Sequence, residues 1–220
     1  TLLLCRGERA GCLGDGGVRR RGGAEAGRLR DRLGERAKMD SAYGPSERNR
    51  FDLFLPEGEA KGLFVFVHGG YWLMFDKNSW SHLAAGALAQ GWAVAMPSYD
   101  LCPDVSIADI TRQVAAAITH AAGEVAGPIT LAGHSAGGHL VARMLDKGVL
   151  GPEVGERLRN VVPISPVTDL QPLLRTSMNE KFQLDEVAAV AESPVSMVDR
   201  YDATVPGRVG TKGRPPLRGS

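Results

Sequence analysis

The chain has 220 residues, 43% of them hydrophobic, which is enough to bury one sizeable core and sets a single domain as the expectation. Its 26 basic and 25 acidic residues nearly cancel, so no nucleic acid and no strongly charged partner is called for. Cys5, Cys12 and Cys102 show neither metal-ligand spacing nor an even-numbered disulfide framework. A reduced, cytoplasmic compartment is the simplest reading, with Cys102 as a core thiol. Leu2 to Leu4 are too few for a signal peptide and no apolar run approaches a membrane span, so a soluble protein with no membrane partner is expected.

Residues 1–38 carry ten Lys/Arg against five Asp/Glu, with glycines scattered without period, and no helix or strand is legible before about Glu25. This segment reads as an irregular Arg/Gly-rich extension. Residues 204–220 hold four basic residues, no acidic ones, and Pro206, Pro215 and Pro216, which reads as a disordered basic tail. The contrast with the patterned middle, 39–203, is the contrast expected of a folded core truncated or read out of frame at both ends.

In the middle, strand and helix patterns alternate, which predicts βαβ units and a mostly parallel, doubly wound sheet. Phe51 to Leu55 alternates like an outer strand. Leu63 to Val67 is the next strand, and Ser79 to Gln90 reads as a helix with Leu83, Ala84, Ala87 and Leu88 inward. Trp92 to Met96 follows as a strand. Ile107 to Val125 is the clearest amphipathic helix, with Ile110, Val114, Ala117, Ile118 and Ala121 on one stripe. Ile129 to Ala132 and Asn160 to Ile164 are further strands, and Gln183 to Ala191 is a short helix. Tyr201 to Val205 begins like a strand and dissolves at Pro206, so the C-terminal strands of the sheet look missing.

The most specific signal is Gly133-His134-Ser135-Ala136-Gly137, placed between a strand and a helix. Glycines flank the serine because the turn is too tight for side chains there, and the turn lifts the hydroxyl above the sheet edge, as a nucleophile requires. A second loop supports it. His68-Gly69-Gly70-Tyr71-Trp72 closes the strand from Leu63 and is of the type that supplies an oxyanion hole, in which the N–H groups of Gly69, Gly70 and Ala136 would hold the tetrahedral intermediate.

A serine needs a base to take its proton, and on this fold the order along the chain is Ser, then Asp or Glu, then His. The order fails here. The five histidines are His68, His82, His120, His134 and His139, none more than four residues beyond Ser135. His134 and His139 are expected to pack or hydrogen-bond locally, His68 to brace its loop, and His82 and His120 to serve their helices. Asp169 is the one carboxylate at the end of a strand after Ser135, and its spacing suits a pocket or loop-bracing residue better than a triad acid. Both the acid and the histidine of the triad remain unassigned.

From about Gly44 to Val195 the chain resembles α/β-hydrolases of the kynurenine formamidase (arylformamidase) type, close to hormone-sensitive-lipase-like esterases. The resemblance rests on His68 to Trp72, on Gly133 to His139, on Ser165-Pro166-Val167-Thr168-Asp169-Leu170, and on Thr176-Ser177-Met178-Asn179, with the Tyr71-Trp72 pair the most discriminating. It implies hydrolysis of N-formylkynurenine to kynurenine and formate, with Ser135 as nucleophile and no metal or organic cofactor. It also implies a substrate pocket at His68, Tyr71 and Trp72 that takes an aromatic or acyl small molecule; a homodimer is the one protein partnership entertained. A general carboxylesterase is the alternative. An inactive hydrolase or binding module is the third reading, because the triad histidine is absent.

Overall fold

A computed structural model describes residues 15–206, with side chains from Gly23 onward. Six strands form one sheet: β1 (Ala37–Ala42), β2 (Arg50–Phe54), β3 (Leu63–Val67), β4 (Ala93–Pro97), β5 (Ile129–His134) and β6 (Leu158–Ile164), in the order β1-β2-β4-β3-β5-β6. β1 and β2 run antiparallel to their neighbours, while β4, β3, β5 and β6 are mutually parallel. The helices are α1 (Asp15–Leu33), α2 (Ala84–Ala89), α3 (Ile107–Glu124), α4 (Ala136–Arg143), α5 (Pro152–Gly155), α6 (Asn179–Phe182) and α7 (Glu186–Ala191).

Alternation along the strands sorts the core into two layers. Leu63, Val65 and Val67 of β3, with Ala93, Ala95, Ile129, Leu131 and Val161, face one side and pack under α3 and α4. Phe66, Val94, Met96 and Ala132 face the other and pack under Leu29 and Leu33 of α1 and Ala84 of α2. The stripe expected on α3 is buried throughout, from Ile110 to Ala121. Its start is fixed by a capping box. Ser106 Oγ accepts from the Asp109 N–H at 3.1 Å, and the Asp109 carboxylate accepts from the Ser106 N–H at 3.0 Å.

Several expectations need correction. A helix, α1, begins ten residues before Glu25, and the boundary set at 38/39 falls inside β1. Its glycines hide it, because they lower helix propensity, and tertiary contact holds it instead. Ala26, Leu29 and Leu33 are buried at helical spacing, and Arg30 Nε donates to Ser81 Oγ at 3.0 Å. Phe51 to Leu55 is not at the sheet edge, because β1 pairs outside β2. β1 is mostly exposed and shows no apolar alternation to read. Ser79 to Gln90 is not one helix. Two 3-10 turns, Lys77–Ser79 and Ser81–Leu83, precede α2, and Leu83 points outward at 43% exposed. Asp76 caps the first of these by accepting from the Asn78 N–H, and Arg30 grips Ser81 in the second, so the entry is wound more tightly than an α-helix. Gln183 adopts φ +52 and ends α6, and Asp185 caps α7, so the helix expected from Gln183 starts at Glu186. The start of the irregular extension, residues 1–14, and most of the disordered basic tail, 207–220, lie outside the described residues.

The last described segment is tied down. Tyr201 lies against Gly155 and its hydroxyl donates to the Leu150 carbonyl at 2.7 Å, and Thr204 forms a single parallel bridge to Asn160 of β6. Among the described residues no helix is long and apolar enough to cross a membrane.

One charged contact joins the two antiparallel strands to the loop that follows β3. Lys77, 3% exposed, places Nζ 2.7 Å from Asp52 of β2 and 2.6 Å from Asp40 of β1. Asp52 is fully buried on the α1 side of the sheet. Taking Lys77 away would leave an uncompensated buried carboxylate. The expected outcome for Lys77→Met is a loss of about 3 kcal/mol or more in denaturant unfolding, and a change below about 1 kcal/mol would show that the pair is not holding the loop.

Candidate active site

Ser135 sits between β5 and α4 with φ +54 and ψ −116, a conformation costly for a residue with a Cβ. Backbone packing explains why it persists. A Cβ on Gly137 would meet the Val67 carbonyl oxygen at 2.1 Å, and one on Gly133 would meet the Gly137 carbonyl oxygen at 2.2 Å. The turn therefore presses directly on the end of β3, and only glycine fits on either side of the serine. The Ser135 N–H donates to the Ile164 carbonyl of β6 at 2.9 Å, which pins the turn to the neighbouring strand. Ser135 itself is half-buried.

The loop after β3 reaches the same point. A Cβ on Gly69 would lie 2.6 Å from the His134 carbonyl oxygen and 3.3 Å from Ser135 Cβ, so Gly69 is packed against the serine. Gly70 has φ +121, and its carbonyl accepts from the N–H groups of Leu73 and Met74, closing a tight turn over 70–74. Ala136 is the first residue of α4, where a backbone N–H has no partner within its helix. The structure thus brings Gly69 and Ala136 to Ser135 from two strands, and Gly70 follows Gly69 in the loop. Tyr71, Trp72, Phe75, Ser135 and Ser165 all take positive φ in segments that follow β3, β5 and β6, so backbone strain is concentrated at one end of the sheet.

The three residues expected to line a pocket divide. Tyr71 is 54% exposed and free to meet a ligand. His68 and Trp72 are 1% exposed and underlie the loop instead of facing solvent. The His68 ring stacks on Tyr99 with centroids 4.3 Å apart, and the Tyr99 hydroxyl donates to the His68 carbonyl at 2.8 Å. Trp72 is wedged edge-on between His139 and Phe182, at 5.2 and 5.5 Å. Asp169 accepts from the Gln171 N–H at 3.0 Å, which is the loop-bracing role.

None of the five histidine side chains forms a hydrogen bond with Ser135 among the described residues. His134 is exposed, His120 bonds to the Ala116 carbonyl of its own helix, and His139 Nε2 donates to the Glu192 carbonyl at 2.7 Å. Two residues that the sequence reading did not assign now matter. Glu192, buried at the end of α7, accepts from Thr111 of α3 at 2.7 Å and lies 3.5 Å from Arg143 of α4. Tyr99 supports His68. Nothing in local sequence spacing links either to the site. Among the described residues no three His, Cys, Asp or Glu side chains are grouped to hold a metal ion.

Residues 64–206 match the alpha/beta hydrolase fold family, and the chain belongs to that family. It is 31% identical to the kynurenine formamidase of Danio rerio over 165 residues, which cover 71% of this chain and 55% of that protein. With the kynurenine formamidase of Drosophila melanogaster it shares 31% identity over 176 residues, 74% of this chain and 57% of that protein. The chain thus spans little more than half the length of these curated relatives. A solved structure from Silicibacter sp. with a provisional thioesterase assignment is 63% identical, with a TM-score of 0.87, covering 89% of this chain and 75% of that one. Esterase B of Lactobacillus rhamnosis, 16% identical with a TM-score of 0.64 over 86% of this chain and 73% of that one, shares the fold.

Burial drives the His68 and His139 imidazoles down from 6.5 to about 4. Above pH 6.5 both are neutral whether the chain is folded or not. Below it the unfolded chain takes up protons that the folded one refuses, so stability is lost as pH falls from 6.5 to 4. The expected outcome is a melting temperature that drops across that window as unfolding free energy is lost, up to about 3 kcal/mol per histidine at its lower end. In His139→Gln the drop should be smaller, and equal slopes in both proteins would contradict burial of a neutral ring.

Proposed function

We propose that this hydrolase acts by acyl transfer to Ser135, with the N–H groups of Gly69, Gly70 and Ala136 stabilising the oxyanion, on a formamide of an aromatic amine. The carrying observation is the contact between Gly69 and Ser135, which sets a donor loop against a strained serine at the end of β5. In the first half-reaction Ser135 Oγ bonds to the formyl carbon, the amine leaves with a proton, and an O-formyl serine remains. Water then attacks that ester, releases formate and restores the hydroxyl. The formamide preference is supported by the two kynurenine formamidases and by Tyr71, the exposed aromatic ring beside the site.

This reading gives the chain a nucleophile and oxyanion donors, while among the described residues no histidine side chain forms a hydrogen bond with Ser135. Catalysis by such a site rests on binding and on the oxyanion donors, so turnover by this chain is expected to be slow. A second reading, hydrolysis of carboxylic esters or thioesters, is favoured by the provisional assignment of the 63% identical structure.

Incubation with p-nitrophenyl acetate is expected to leave one acetyl group on the tryptic peptide that contains Ser135, and none in Ser135→Ala. No adduct in the unmodified chain would overturn the serine assignment. Turnover of N-formylkynurenine ahead of acetyl and thioester substrates supports the formamide preference, and the reverse order supports the second reading.

A further inference from the structure

We infer that His139 is a positioning residue for the oxyanion loop, acting through Trp72; the inference rests on the reading that Gly69 and Gly70 are the oxyanion donors. His139 lies one helical turn after Ser135, and its N–H donates to the Ser135 carbonyl at 3.0 Å. Its side chain leaves the serine altogether. The ring is fully buried and meets Trp72 at 83° with centroids 5.2 Å apart.

Trp72 is the anchor of the turn that contains Gly70. Its φ of +58 directs an indole that is 1% exposed into the space between His139 and Phe182, and its carbonyl accepts from the Cys102 N–H at 2.8 Å. The loop is otherwise built from strained and glycine backbone, which sets its own position weakly. A wedge that fills a fixed slot supplies what the backbone does not.

The slot is fixed because the imidazole cannot turn freely. His139 Nε2 donates to the Glu192 carbonyl at 2.7 Å, which selects one tautomer and one ring orientation. Glu192 is held in turn by Thr111 of α3. Burial keeps the ring neutral, and among the described residues Nδ1 has no hydrogen-bond partner, so no second hydrogen bond competes with the one to Glu192. The nucleophile helix and the oxyanion loop therefore share one aromatic contact that sets their distance.

The test measures p-nitrophenyl acetate turnover, whose leaving group needs no proton and whose transition state the oxyanion donors stabilise with or without an imidazole base. His139→Ala and His139→Gln are expected to lower kcat about tenfold or more while KM stays within about twofold, since the donors act on the transition state. His139→Phe keeps a ring against Trp72 and is expected to hold kcat within about threefold, with a lower melting temperature because the Glu192 carbonyl loses its donor. In a Trp72→Leu background, His139→Ala is expected to change kcat by less than about twofold, because the two residues act in series. Unchanged kcat in folded His139→Gln, or losses that multiply in the double variant, would overturn the inference. If His139→Ala does not fold, the Gln and Phe variants decide it. Gly69→Ala is the control on the underlying reading: if it leaves turnover unchanged, the donor assignment fails and the inference with it, whereas a loss there without one at His139 defeats the positioning role alone.

Discussion

The structure depends on how closely the backbone of the Ser135 turn approaches the end of β3. Val67 and His68 present carbonyl oxygens where a side chain on Gly137 would have to be, and Gly69 touches the serine itself. No side-chain repacking can relax such a contact, because both partners are main chain. Strand order follows from it, since β3 and β5 must be parallel neighbours for their C-terminal ends to meet, and β6 must lie beside β5 to accept the Ser135 N–H. The layers of helices then cover a sheet whose centre is already fixed.

The two halves of the molecule are held by different physics. On the face of α3 and α4 the packing is mainly aliphatic and aromatic and follows sequence periodicity along α3. On the opposite face a buried Asp52–Lys77 pair and a glycine-rich α1 take part, and these are the features that local pattern describes least well. The polar seam from Thr111 through Glu192 to His139 and on to Trp72 crosses the first face, joining helices far apart in the chain.

What was legible in the sequence was whatever local period or local turn chemistry dictates. The parallel strands from Leu63, Trp92, Ile129 and Asn160 appear within a residue or two of their expected places, as does α3. The Ser135 turn was legible because its glycines answer to steric need within five residues. Three things were not. α1 has poor propensity and exists through contact with the turns at 77–83; β1 is mostly exposed and carries no apolar alternation; and Trp72, next to exposed Tyr71, gave no sign that its ring turns inward. Which of two adjacent aromatics meets a ligand depends on a left-handed backbone, and composition does not report that.

The buried pair of Asp52 and Lys77 also constrains how this sequence can diverge. Losing Lys77 alone strands the Asp52 carboxylate in an apolar setting, whereas losing Asp52 alone leaves Lys77 its contact with Asp40, and an apolar pair of similar volume is tolerable. The less costly order of divergence therefore opens at Asp52, with Lys77 following, and the reverse order passes through an intermediate with an unpaired buried carboxylate.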